Sequence, residues 1–200
     1  MKLKIYEELK QEVLNCSKCD LCEDGKIGDL KPQVMGEGNL NSKILFVAQN
    51  PGVEEVKHSQ PLTTTGTSGK LYEKVLNYLD LTREQVYTTN IVLCHSPKNA
   101  EPENYQLLKC QPYFERQLDL IKPELIITFG RYSAQFFLNN FKITSDHGKI
   151  QRNEKYNADI FPLFHPAYVS SYAPQAKRFE FQQDIQKLKE IIKAMNKNVA

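Results

Sequence analysis

No apolar run in this sequence approaches the roughly 20 residues that a membrane-crossing helix needs, and the longest, such as Leu125–Thr128 and Ile160–Phe164, are short. A membrane partner is therefore not expected. A secretion signal is missing too: Met1-Lys-Leu-Lys-Ile-Tyr-Glu-Glu8 mixes both charge signs where such a signal holds an unbroken apolar stretch. This points to a cytoplasmic protein. Charge of one sign is also scarce, because 26 Lys and Arg against 24 Asp and Glu leave a net charge of only +2. Bulk charge thus does not announce a nucleic-acid partner, and a basic patch has to come from local clustering. There is no repeat and no low-complexity tract, and 40% hydrophobic with 25% charged residues is an ordinary globular mixture. One domain over residues 1–200 is the expected organisation. Cysteine is sparse and odd in number: of five, three crowd into Cys16–Cys22. Cytosolic proteins rarely hold structural disulfides, so metal ligation is the better reading.

The regular pattern alternates between helix and strand. Ile5, Leu9 and Val13 recur at spacings of four and predict a helix over Lys4–Asn15, leading into the cysteine cluster. Lys43–Ala48 reads as a buried strand ending at Asn50-Pro51-Gly52. Ser68–Leu79 reads as a helix that Ser68 caps, and Thr82–Gln85 has the form of a capping box. Val86–Leu93 is the second strand. Glu103–Leu120 reads as mostly helical, with Pro112 expected to break or kink it just after Cys110. Pro123–Phe129 is a third strand, followed by a helix over Arg131–Asn139; Ile160–Phe164 is a fourth, and a helix from about Phe179 to Met195 closes the chain. The fold class is α/β, a parallel sheet with helices on both faces. Ligands of such sheets bind beyond the carboxyl ends of the strands, which directs attention to the loops after Gln49, Asn90, Gly130 and His165.

Three of those strand ends carry Asn50, Asn90 and His165. An Asn amide offers one donor group and one acceptor, so it can orient a water or hold the edge of a base. Each also has an ordinary reading as a turn former or a satisfied loop side chain. Their placement at successive strand ends favours a site.

In order along the chain, Val34-Met-Gly-Glu-Gly-Asn39, Lys43-Ile-Leu-Phe-Val-Ala-Gln-Asn-Pro-Gly52, Thr88-Thr-Asn-Ile-Val-Leu-Cys94, Cys110, Lys122-Pro-Glu-Leu-Ile-Ile-Thr-Phe-Gly130 and His165-Pro-Ala-Tyr168 resemble the family 4 uracil-DNA glycosylases. The resemblance implies a three-layer α/β/α sandwich around a four-stranded parallel sheet. It implies an enzyme that flips uracil out of single- or double-stranded DNA and hydrolyses its N-glycosidic bond, initiating base excision repair, as a monomer. It also implies a [4Fe–4S] cluster on Cys16, Cys19, Cys94 and Cys110, tying the N-terminal helix and cysteine loop (1–35) to the body. Four thiolates equally fit a tetrahedral structural zinc, and Cys22 lies near enough to replace Cys19. Asn90 matches the residue that reads the uracil edge, and His165 the donor near O2 of the leaving base.

This chain departs from the family pattern in two places. Where the family has Gly-Glu-Ala-Pro-Gly it reads Ala48-Gln49-Asn50-Pro51-Gly52. Asn50 instead resembles the water-positioning Asn of the mismatch-specific and thymine-DNA glycosylase branches, leaving Gln49 to shape the pocket through its backbone. Where the family stacks an aromatic on the base, Gln60-Pro61-Leu62 places Leu62. Thr63–Gly69 is either a phosphate-contacting loop or an ordinary polar one. Beyond His165, Tyr168 or Val169 is the expected wedge into the duplex, with Ser170 beside it and Lys177 and Arg178 near the phosphates. The competing function is a module of the same fold that captures uracil or single-stranded DNA without cutting.

Overall fold

The four apolar segments form the centre of a six-stranded mixed sheet in a computed structural model that describes residues 1–197; residues 198–200 of the expected domain lie outside the described residues. Strands β1 (Glu37–Gly38), β2 (Ile44–Ala48), β3 (Tyr87–Asn90), β4 (Leu125–Phe129), β5 (Gln151–Asn153) and β6 (Ala158–Leu163) lie in the order β1-β3-β2-β4-β6-β5. The central β3, β2, β4 and β6 are mutually parallel, while β1 and β5 pair antiparallel at the edges. A purely parallel four-stranded sheet therefore describes the centre alone. The edge strands carry too few apolar residues to announce themselves, since β5 is Gln-Arg-Asn and β1 is Glu-Gly.

Every residue of β2 and β4 is buried, which is why these segments read as continuous apolar runs rather than alternating ones. Phe46, Ile127, Phe129 and Phe161 face helices α4 (Thr67–Tyr78) and α8 (Gln175–Lys197) through Tyr72, Leu76, Phe181 and Leu188. Leu45, Val47, Ile126 and Ile160 face α5 (Asn104–Ile121) and α6 (Arg131–Phe137) through Phe114, Leu118, Ala134 and Phe137. Helices thus cover both faces. Helix α1 (Lys2–Leu14) joins the body by packing Leu9 and Val13 against Leu93 and Tyr113, and Arg116 grips Glu12 with bonds of 2.5 and 2.8 Å. Shorter helices α2 (Leu21–Asp24), α3 (Val53–His58) and α7 (Ile143–Asp146) fill the connections.

Two local expectations are corrected. Helix α5 runs through Pro112 without interruption. Pro112 removes the amide that would serve the Leu108 carbonyl, but Leu108 is exposed, where water can serve that group instead. Ser68 does not cap α4, which starts one residue earlier after Gly66. Thr82 does open a short turn, a 3₁₀ segment over Arg83–Gln85, its amide donating to Gln85 Oε1 at 2.8 Å.

Candidate active site

The carboxyl ends of β2 and β6 open on a cleft of about 700 Å³ whose walls include Gln49, Asn50, Leu62, His165, Tyr168 and Tyr172. After β2 the chain turns at Asn50-Pro51-Gly52 into α3, with Gly52 as the cap. Three residues on, Glu55 folds back and accepts the Gly52 amide at 2.7 Å on Oε2 and the Leu62 amide at 2.6 Å on Oε1. One buried carboxylate therefore clamps both the turn and the loop that covers the pocket. Burial pushes the Glu55 pKa up; the Leu62 and Gly52 amides and then the Arg83 guanidinium pull it back. Leu62 is almost fully buried and sits in the left-handed region at φ 49°, an uncommon place for a bulky side chain. Its conformation is over-determined. Glu55 holds its amide, and Arg83 donates to its carbonyl and to Pro61 O. Gly69, in the first turn of α4, is pressed so closely that a Cβ there would lie 1.8 Å from the Thr63 carbonyl oxygen.

His165 follows β6 and lies against Gly130, which has φ 88° and where a Cβ would come within 3.2 Å of the imidazole's own Cβ. The Ala167 amide donates to His165 Nδ1 at 3.2 Å, so the neutral ring carries its proton on Nε2. Burial pushes the His165 pKa down to about 4. At neutral pH it is an uncharged donor. Asn90 is 1% exposed at the end of β3, in register with the cleft residue Ala48 and near Glu55, and does not itself line the open cleft. Neither atom of its amide has a hydrogen-bond partner. Asn50 lies in the wall, its Nδ2 reaching Pro51 O at 3.3 Å, and Gln49 is tied by its backbone carbonyl to the Val92 amide at 3.0 Å.

After His165-Pro166 the chain winds into a π-helical turn over Tyr168–Tyr172, a geometry that recurs at functional sites. The turn sets the exposure of the wedge candidates: Val169 is 6% exposed and packs into the core, whereas Tyr172 is 80% exposed and projects. Tyr168 lines the cleft against Phe164, whereas Ser170 and Arg178 face a second groove on the other side of the turn. Lys177 is paired with Glu180 at 2.7 Å, which leaves Arg178 as the available cation of the two.

The cysteines gather between α1, β3 and α5. All five are free thiols; burial raises Cys94, with Cys110 next, and raises Cys110 to about 12, with Cys16 and Cys19 adding to both. The Leu93 amide donates to Cys110 Sγ at 3.2 Å, as amides do to cluster-bound sulfurs. Among the described residues, no group of three or more His, Cys, Asp or Glu forms a ready metal site. Next to Cys94, His95 Nδ1–H donates to Pro51 O at 2.8 Å, so the cysteine region and the Asn50 turn are joined by one bond.

Glu55, His95, Asn99 and Tyr172 belong to this region and were not anticipated from sequence. Only Glu55 carried a signal, its spacing of three from Gly52, which matches a capping box. Lys98 and Asn99 take consecutive left-handed conformations at φ 56° and 54°, which suits Asn99, on the cleft wall, but is uncommon for Lys98.

Comparison with known proteins agrees with this geometry. A model of the uracil DNA glycosylase superfamily matches residues 35–189. The type-4 uracil-DNA glycosylase of Sulfurisphaera tokodaii is 34% identical over 92% of this chain and 84% of that protein. Proteins of the same name from Archaeoglobus fulgidus and Thermotoga maritima are 33% and 30% identical, covering 94% and 95% of this chain and 94% and 96% of their own lengths. The chain belongs to the uracil DNA glycosylase superfamily and, within it, to the type-4 uracil-DNA glycosylases.

Proposed function

We propose that this protein excises uracil from DNA, hydrolysing the bond between the base and its deoxyribose. The observation that carries the reading is the buried Asn90 amide, a donor and an acceptor left without partners in register with the cleft residue Ala48. Such groups are rare in folded proteins and here suit a ligand that supplies their complement. Uracil does so, its O4 accepting from Nδ2 and its N3–H donating to Oδ1. The adjacent Glu55 carboxylate accepts hydrogen bonds, which favours the amide orientation that turns Nδ2 towards it and disfavours the reversed one that cytosine needs.

As the glycosidic bond breaks, its electron pair moves onto the base and negative charge grows at O2. His165 meets it with a neutral Nε2–H donor, a contribution of ~3 kcal/mol for a preorganised group of this kind. Asn50 orients the water whose oxygen bonds to C1′ as N1 leaves, and Gln49 shapes the wall through its backbone. Leu62 covers the base without an aromatic face, forgoing stacking worth ~1–3 kcal/mol. Thr67 and Ser68 at the start of α4 border the cleft, where the helix N-terminus suits a phosphate of the extruded nucleotide. Tyr172 fills the gap the base leaves, Tyr168 lines its path, and Ser170 and Arg178 contact the flanking backbone.

Cys16, Cys19, Cys94 and Cys110 would hold a [4Fe–4S] cluster. The donor set is thiol only, which suits an iron–sulfur cluster and equally a tetrahedral zinc. When bound, the group supplies a structural tie between the N-terminal loop and the strand that ends in Asn90. A labelled oligonucleotide bearing one uracil, incubated with the protein and then treated with alkali, should break at the uracil. Retarded migration without breaks would instead establish capture without cleavage.

A further inference from the structure

The π-helical turn over Tyr168–Tyr172 is a wall with two sides. One side lines the cleft through Tyr168 and Tyr172; the other, through Val169 and Ser170, lines a groove of about 930 Å³ between α4 and α8. Lys74 and Arg178 flank this groove, Tyr78 and Phe179 form its apolar surface, and Gln182 and Gln186 add amides. No Asp or Glu lines it, and among the described residues neither Lys74 nor Arg178 forms an ion pair. Phe179 is 60% exposed and Tyr78 47%, although both are large aromatic residues. Arg178 is steadied by a 3.0 Å bond to the Ala173 carbonyl, which fixes it beside Phe179.

We propose that this groove binds a single-stranded stretch of the substrate DNA next to the extruded nucleotide, with a base stacked on Phe179 and phosphates near Lys74 and Arg178. The charge complementarity is one-sided, with cations and no carboxylates. Aromatic faces between cations are the arrangement that binds single strands without reading sequence. The turn is the common wall of groove and cleft, so a strand leaving the pocket over Tyr172 would pass onto the groove. The inference rests on the uracil-excision reading for the identity of the strand, but its binding surface can be measured apart from catalysis.

The test uses the full chain and undamaged single-stranded oligonucleotides of about 4 and about 16 nucleotides, a span typical of stacking sites. Wild type should bind the longer one more tightly by fluorescence anisotropy. Phe179→Ala should weaken that binding about 5- to 150-fold, the loss expected for one stacked base, with no change on the shorter one. Lys74→Ala should lower the slope of log affinity against log salt by about 0.7, one single-strand phosphate contact. Excision of uracil from the short substrate should stay at the wild-type rate in both variants. Unchanged affinity for the longer strand in Phe179→Ala would overturn the proposal and assign the face to another partner, such as a protein. A parallel loss on the short substrate would also overturn it, since the groove would then serve the fold. Length-dependent binding that Phe179→Ala abolishes, in a protein that releases no uracil, would support the groove and overturn only the catalytic reading.

Discussion

Replacing Glu55 by Ala removes one carboxylate and strands two amides, the half-buried one of Gly52 and the buried one of Leu62. A hydrogen bond to a charged group is worth about 1.5–3 kcal/mol, so the two together hold about 3–6 kcal/mol in the folded state. Against this stands the relief of burying a carboxylate whose pKa is already raised, which returns part of the loss. A net destabilisation of about 3 kcal/mol follows, read as a lower midpoint in urea at unchanged slope. The catalytic loss should be disproportionate. Without the clamp, Leu62 relaxes from φ 49°, the Asn50 turn loosens, and Asn90 loses the neighbour that orients it. Single-turnover excision at a temperature where the variant is folded should slow at least about 100-fold, a typical consequence of a small misplacement at a reacting centre. Glu55→Gln keeps one acceptor and should fall between the two. A Glu55→Ala variant with wild-type midpoint and rate would refute the reasoning.

Two further predictions concern proton and wedge. With a pKa near 4, His165 is neutral across the physiological range, so kcat/KM should show no loss with a midpoint near 6.5. The same shift makes stability fall as pH drops from about 6.5 to about 4, because the unfolded chain takes up a proton that the native ring refuses; His165→Gln should remove that portion, ~3 kcal/mol at its limit, in pH-dependent urea titrations. Tyr172→Ala should slow excision from duplex DNA more than from single strands, since only a duplex has a stacked gap to fill; equal slowing on both would remove its wedge role.

The centre of the fold was legible because β2 and β4 are buried throughout, and runs broken only by Thr128 leave few alternatives. Asn50, Asn90 and His165 stood out as candidates because each ends or follows a strand of a parallel sheet, where ligands bind. Glu55 was not, because an acidic residue in a helix's first turn reads as an ordinary partner of the helix dipole, and only the chain's return at Leu62 shows what it holds. The exposure of Val169 and Tyr172 was hidden for a similar reason. A π-helical turn shifts the register, so Val169 points inward and Tyr172 outward, and residue type alone favours the reverse. The break expected at Pro112 weighed a lost amide without knowing that Leu108 faces solvent.

The claim at the centre is that Asn50 holds a water for attack beside a base read by Asn90. Free uracil released in a single turnover, compared between wild type and Asn50→Ala with DNA affinity measured in parallel, tests it directly. The account predicts release at least about 100-fold slower in the variant with little change in binding, the signature of an interaction made in the transition state. Wild-type release by Asn50→Ala would contradict it.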